Sequence, residues 1–178
     1  MSIVTKKGDF GKTTLASGDT ISKGDRLVDA YGTVDELVSF LGLARSHLSD
    51  PTMISHIKKM QCHLFMLATE LAGGTKFAEP CSCYEDCKRT YRDRGLCDEH
   101  LKEIEGVISE YEPHLKLTGF IVPGDTKESA FLDVARTICR RVERKLVNLH
   151  EEGLFKNGEA IKYINRLSDL IYIFARHV

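Results

Sequence analysis

The sequence has no apolar run that approaches the roughly 20 residues needed to cross a bilayer. Its first residues, MSIVTKKGDFGK, also lack the apolar stretch of a secretory signal. The 178 residues carry a formal net charge of −1, so no overall field attracts nucleic acid or an anionic membrane. These absences predict a cytoplasmic protein that binds neither membrane nor nucleic acid. Any anion must then be bound by a local cluster of charges.

The apolar residues recur at helical spacing in four to five segments joined by short connections. The first predicted helix starts at Thr33, which has capping-box spacing to Glu36, and the second starts at Asp50-Pro51. Phe65 and Cys62 on the second helix are predicted to be core residues. The pattern predicts an all-α bundle formed by a single domain of residues 1–178, with residues 1–28 as an irregular N-terminal arm and residues 75–100 as a Cys-rich insertion.

The longest predicted helix, from Lys127 to His150, carries a stripe of charged residues. Its members lie three to four residues apart and therefore on one side of the helix; they are Arg136, Arg140, Glu143 and Arg144, with Arg141 beside them. Guanidinium groups suit phosphate oxygens and carboxylates, so the stripe is a candidate anion site. A solvated helix face with an internal Glu–Arg pair is the alternative. Cys139 on the same helix is predicted to be buried.

The N-terminal segment TKKGDFGKTT, residues 5–14, combines glycines with lysines and hydroxyl groups. It is not a Walker A loop, because that motif requires a glycine where Lys6 stands and an apolar strand before it. Glycines nevertheless let backbone amides approach phosphate oxygens, and lysines supply further donors. The segment is therefore either a phosphate-binding loop of another kind or a flexible basic arm.

Together, five segments resemble the PduO-type ATP:cob(I)alamin (corrinoid) adenosyltransferase family. They are TKKGDFGKTT, AYGTVDEL, FIVPG, ARTICRRVER and NRLSDLIYIFAR, in the family's order and approximate separation. The resemblance extends over nearly the whole chain apart from residues 75–100. It implies a five-helix bundle, assembled as a homotrimer with active sites between subunits. It also implies transfer of the 5′-deoxyadenosyl group of ATP to cob(I)alamin, which gives adenosylcobalamin and triphosphate.

The resemblance also implies roles for individual residues. Asp35 and Arg136 match the family's intersubunit ion pair beside the corrin, and Phe120 matches the aromatic group that covers the lower face of cobalamin. With Arg140 these are the expected catalytic residues; a core position for Phe120 is the alternative. ATP, with Mg²⁺, is expected to be bound by Thr5, Lys6, Lys7, Gly8, Thr13, Thr14, Lys23, Arg140, Arg141, Glu143, Arg144 and Asn165. An adenosylcobalamin-dependent enzyme is the expected acceptor of the product.

The family's pattern does not include the cysteine-rich segment. Four thiols and one imidazole fall within twenty residues: Cys81, Cys83, Cys87, Cys97 and His100. They could bind Zn²⁺ or an iron–sulfur cluster, although their spacing fits neither standard pattern, or they could remain unliganded thiols. The cluster supports one alternative function, a non-catalytic bundle that senses metal or redox state. A corrinoid carrier without turnover is another alternative.

Overall fold

A computed structural model describes residues 4, 6, 8–74, 95–115 and 119–178. It confirms an all-α bundle, whose five described helices are α1 (Arg26–His47), α2 (Pro51–Leu71), α3 (Asp98–Tyr111), α4 (Lys127–Glu151) and α5 (Gly158–Ala175). A single 3₁₀ turn, Glu112–His114, follows α3. The only described strands are β1 (Lys12–Thr14) and β2 (Thr20–Ser22), which pair antiparallel with Thr13 opposite Ile21. No described helix has both the length and the apolarity that a membrane span requires.

The starts of α2 and α4 agree with the predicted ones, and side chains cap α2, α4 and α5. The side chain of Asp50 accepts a hydrogen bond from the Thr52 amide over 2.8 Å, with Pro51 in the first turn of α2. At the start of α4 the Thr126 hydroxyl accepts from the Ser129 amide, and the Ser129 hydroxyl accepts from the Thr126 amide. Asn157 caps α5 in the same way through the Ala160 amide. These side chains satisfy amides that have no partner within their own helices.

The predicted start of α1 is wrong. Asp25 is the cap, and its carboxylate accepts from the Leu27 amide over 2.8 Å. Thr33 lies inside the helix, where it is buried and its hydroxyl donates to the carbonyl of Asp29. A Thr and a Glu three residues apart also occur in helix interiors, because a threonine hydroxyl can bond the carbonyl one turn earlier. The capping-box spacing alone therefore misplaces the start.

The core lies where the four longest helices meet. α1 packs between α2 and α4, and α5 packs between α4 and α3. Leu37, Leu64, Leu132, Ile164 and Phe174 are fully buried there, and each contributes about 1.5–3 kcal/mol through removal from water.

The predicted core positions of two cysteines are confirmed, and the predicted core position of one aromatic residue is wrong. Cys62 and Cys139 are buried, as predicted. Phe65 was expected in the core but is 44% exposed. The reason is geometric: successive residues of a helix are rotated by about 100°, and Leu64 already occupies the inward direction.

Asn157 joins three segments of the bundle. Its Nδ2 atom donates to the carbonyl of Leu96 over 2.9 Å and to Oε2 of Glu70 over 3.0 Å, while its Oδ1 atom caps α5. Burial raises the pKa of the Glu70 carboxyl, and the hydrogen bond from Asn157 opposes that shift. One amide therefore connects the end of α2, the entry to α3 and the start of α5.

We predict that Asn157→Ala lowers the free energy of unfolding by about 1–3 kcal/mol, because a helix cap and two partly buried hydrogen bonds are lost. Asn157→Ser is the matched control. It retains the capping oxygen and lacks the Nδ2 donor, so it should lose only part of that stability. Urea unfolding of the three proteins measures the effect, and equal stabilities for Asn157→Ala and the unmodified protein would contradict it.

Candidate active site

The described part of the N-terminal arm folds as a hairpin that brings several predicted ATP-binding residues together. The Lys23 amide donates to the Gly11 carbonyl over 2.8 Å and thereby extends the pairing of β1 with β2. A Cβ atom added to Gly8 would lie 2.7 Å from Nζ of Lys23, so the Lys23 ammonium group lies directly against the Gly8 backbone. Lys6 has φ 58°, and its carbonyl accepts from the Asp9 amide. A tight turn of backbone amides next to an ammonium group is suited to anions.

Not every predicted residue of the arm can be placed. Lys6, Gly8 and Lys23 lie at the base of the hairpin, and Thr13 and Thr14 lie on β1. Thr14 is exposed and Thr13 is half-buried. Thr5 and Lys7 lie outside the described residues.

The predicted cationic face of α4 borders an open depression of about 540 Å³. Its lining consists of Arg140, Arg141, Glu143, Arg144, Lys145, Val147 and Asn148. Two of its cations are paired with acids of α1: Arg141 lies 2.7 Å from Glu36, and Lys145 contacts Asp29. Arg140 and Arg144 are exposed, and no carboxylate within the described ranges lies within 4 Å of either. On this face, these two arginines are therefore the best candidates to bind an anion.

Glu143 and Asn165 form the link between this face and α5. The Nδ2 atom of Asn165 donates to Oε1 of Glu143 over 2.7 Å, and both residues are half-buried. The alternative of an internal Glu–Arg pair is not what the described residues form, since Glu143 bonds to Asn165. The structure thus brings Arg140, Arg141, Glu143, Arg144 and Asn165 together, as the sequence predicts.

The residues predicted near the corrin are distributed over three elements. Asp35 is exposed on α1, and Arg136 lies on α4 with its Nε atom 3.1 Å from Oδ1 of Asp133. The predicted Asp35–Arg136 pair joins two subunits, so it remains a prediction. Phe120 is fully exposed in the segment before α4, and Val122 beside it is 81% exposed. The alternative that Phe120 fills the core of its own chain is therefore wrong.

Sequence reasoning missed Asp133 and Arg176. Asp133 is buried and contacts both Arg136 and Arg176. One signal was available: an acid three residues before Arg136 lies on the same side of a helix. The contact with Arg176 depends on the packing of α5 against α4 and has no local signature.

The cysteine cluster is only partly described. Cys81, Cys83 and Cys87 lie outside the described residues. Cys97 caps α3, and its Sγ atom lies 3.1 Å from Nδ1 of His100. In the part of the chain that the structure describes, no group of three or more His, Cys, Asp or Glu side chains is placed to bind a metal ion. The contact between Cys97 and His100 belongs to the start of α3, where the Cys97 amide also donates to Nδ1 of His100 over 3.1 Å.

The family model described as cobalamin adenosyltransferase matches residues 3–178. The chain belongs to the cobalamin adenosyltransferase family. It is 37% identical over 175 residues to a corrinoid adenosyltransferase of Citrobacter freundii, with 98% of this chain and 93% of that protein covered. It is 34% identical to the corrinoid adenosyltransferase PduO of Salmonella typhimurium, and it spans 49% of the length of that relative.

Solved structures of the family have the same fold. A variant PduO-type ATP:corrinoid adenosyltransferase from Lactobacillus reuteri, complexed with cobalamin and ATP, aligns with a TM-score of 0.79 and 31% identity. The alignment covers 99% of this chain and 92% of that one. A second variant of the same enzyme, complexed with ATP, aligns with a TM-score of 0.80.

We predict that Arg140→Ala and Arg144→Ala each weaken the binding of inorganic triphosphate by about 10-fold or more, because each removes a charge-assisted hydrogen-bond donor worth about 1.5–3 kcal/mol. Arg166→Ala is the matched control, since Arg166 is occupied by Glu105 and Asp169. Isothermal titration calorimetry at low ionic strength measures the affinities. If the control weakened binding as much as the other two variants, the loss would reflect overall charge and the assignment would be wrong.

Proposed function

We propose that the protein transfers the 5′-deoxyadenosyl group of ATP to cob(I)alamin, giving adenosylcobalamin and triphosphate. The observation that carries this proposal is the pair Arg140 and Arg144, two exposed cations without an internal carboxylate partner among the described residues. They lie on α4 of a chain whose residues 3–178 match the family model. The related enzyme variant from Lactobacillus reuteri is complexed with cobalamin and ATP.

The chemistry fits the residues present. Cobalt(I) of the substrate attacks C5′ of ATP, a cobalt–carbon bond forms, and the C5′–O bond breaks with its electron pair going to triphosphate. The protein therefore needs neither a nucleophile nor a base of its own, and it contributes orientation and charge. Burial raises the pKa of the Cys139 thiol on α4, which keeps that potential nucleophile protonated within the core.

Negative charge accumulates on the leaving triphosphate, and the arm and two helices would supply donors to it. The arm would supply Thr5, Lys6, Lys7, Gly8, Thr13, Thr14 and Lys23, and the helices would supply Arg140, Arg141, Arg144 and Asn165. Preorganised cations and amides of this kind stabilise developing negative charge without reorganisation. We also propose that Arg141 exchanges Glu36 for a phosphate oxygen, since that pair is half-exposed and therefore weak.

Glu143 is the residue of this set that would hold Mg²⁺. One of its oxygens accepts from Asn165, and the carboxylate borders the same depression as the arginines. Mg²⁺ usually takes one or two carboxylates together with phosphate oxygens and water, so this donor set fits. Bound there, the ion would add positive charge beside the triphosphate.

We propose that the corrinoid binds where subunits of a homotrimer meet. Phe120 and Val122 are large apolar side chains that are exposed in the described part of the chain, and this exposure favours a binding surface there. Phe120 would cover the lower face of cobalamin and exclude its axial base, which makes cobalt(II) easier to reduce. Asp35 of one subunit would pair with Arg136 of the next beside the corrin.

The remaining assignments are proposals of the same kind. Residues 1–178 would form one adenosyltransferase domain acting in the cytoplasm, where cysteines stay reduced, and an adenosylcobalamin-dependent enzyme would accept the product. The Cys97–His100 contact favours a second candidate role, the sensing of metal or redox state through Zn²⁺ or an iron–sulfur cluster. If elemental analysis of the purified protein found no metal, this candidate role would be excluded. A carrier without turnover has no need of the arginine set.

We predict that Arg140→Ala reduces single-turnover formation of adenosylcobalamin by at least about 100-fold, because the leaving triphosphate loses a charged donor. The assay follows the cobalt–carbon product by absorbance under anaerobic conditions, with ATP and chemically reduced cobalamin. Arg166→Ala is again the control and should react at the normal rate. A normal rate for Arg140→Ala would remove its assigned role.

A further inference from the structure

One buried carboxylate on α4 joins two arginines. The side chain of Asp133 is 6% exposed. Its Oδ1 atom accepts a hydrogen bond from Nε of Arg136 over 3.1 Å, and its Oδ2 atom accepts from Nη2 of Arg176, directly after α5. Both oxygens of this carboxylate are therefore committed to arginines of two different segments.

Both guanidinium groups also lie close to the ring of Tyr172. Their central carbons lie 5.2 Å (Arg176) and 5.9 Å (Arg136) from the ring centroid, within the range of a cation–π contact. The side chain of Arg176 is 6% exposed and that of Arg136 is 25% exposed. Arg176 is thus the inner member of the cluster, and Arg136 is the member that reaches the surface.

The charges of the cluster do not cancel. Two arginines face one carboxylate, and no other carboxylate of the described residues lies within 4 Å of Arg136. Arg136 contacts Asp133 through its inner nitrogen, Nε, and this contact orients the plane of its guanidinium group. The two terminal nitrogens of Arg136 can then bind a further ligand. An arginine that is held in one rotamer before binding loses less entropy when its ligand arrives.

We propose that Asp133 is a positioning residue that orients Arg136 toward the corrinoid. The inference rests on the proposed function, in which Arg136 lies beside the corrin. Asp133 itself does not touch the substrate and acts through Arg136. A purely structural role, in which Asp133 only neutralises the buried Arg176, is the competing explanation.

Asp133→Asn separates these two roles. An amide has one oxygen and one NH₂ group, so one of the two arginines would face a donor where it now faces a carboxylate oxygen. The buried Arg176 has the greater need of an acceptor, because an unpaired charge in the interior is costly. The NH₂ group would then face Arg136 and release it.

The test is a double-mutant cycle of unmodified protein, Asp133→Asn, Arg136→Ala and the double variant, with the KM values for cob(I)alamin and ATP as readout. We expect Asp133→Asn to raise the KM for the corrinoid about 10-fold and to change that for ATP less than about twofold. In the Arg136→Ala background, Asp133→Asn should have no further effect on either value. Arg136→Lys, which keeps the charge without the Nε fork, should resemble Asp133→Asn.

Three results would overturn the inference: an unchanged corrinoid KM in Asp133→Asn, additive effects in the cycle, or equal rises for ATP and corrinoid. If Asp133→Asn does not fold, Arg136→Lys decides, because it leaves the Asp133–Arg176 pair in place. Turnover by the unmodified protein tests the proposed function separately. If that protein forms no product, corrinoid affinities of the same variants, measured by spectroscopic titration, still test Asp133, and equal affinities would refute the inference.

Discussion

The outer face of α4 carries several positive charges one turn apart, and the way the fold pairs them with carboxylates defines the site. Like charges one turn apart on a helix repel by a few tenths of a kcal/mol per pair. Arg141 and Lys145 are paired with acids of α1, and Arg136 shares the carboxylate of Asp133 with Arg176. Arg140 and Arg144 receive no such partner among the described residues. The anion site is therefore formed by the two arginines of this face that no carboxylate of the described residues neutralises.

The opposite face of α4 makes this arrangement rigid. Leu132, Cys139 and Leu146 are completely buried between α1 and α5, so the helix cannot rotate without exposing its apolar stripe. Asn165 extends from α5 to Glu143 and fixes the remaining acid of the face. The arginines are thereby held in register with each other before any ligand arrives, which is the condition for electrostatic stabilisation of a leaving group.

Much of the bundle was predictable from the sequence, because apolar spacing and helix caps are local signals. Asp50, Thr126 and Asn157 cap helices for reasons that a few neighbouring residues determine. The same local logic failed at Thr33, where a hydroxyl inside a helix has the spacing of a cap. Phe65 was misplaced because periodicity alone did not fix the rotation of α2.

Only part of the site was predictable from the sequence. The arginines of α4 follow from helical spacing, and their roles follow from the resemblance of five segments to one family. The pairs Glu36–Arg141 and Asp133–Arg176 join residues on different elements, so they depend on how helices pack and not on any local pattern. The sequence pattern therefore does not show which arginines are paired with a carboxylate and which can bind an anion.

The central claim is that the arginines of α4 and the glycine-containing arm of a neighbouring subunit bind the same triphosphate. Lys23→Ala and Arg140→Ala are each expected to be inactive, and mixing the two variants with dissociation and reassembly of the subunits tests the claim most directly. If each site combines two subunits, random reassembly regenerates intact sites, and adenosylcobalamin formation should recover to about a quarter of the rate of the unmodified protein. A mixture that stays as inactive as its two components would contradict the claim.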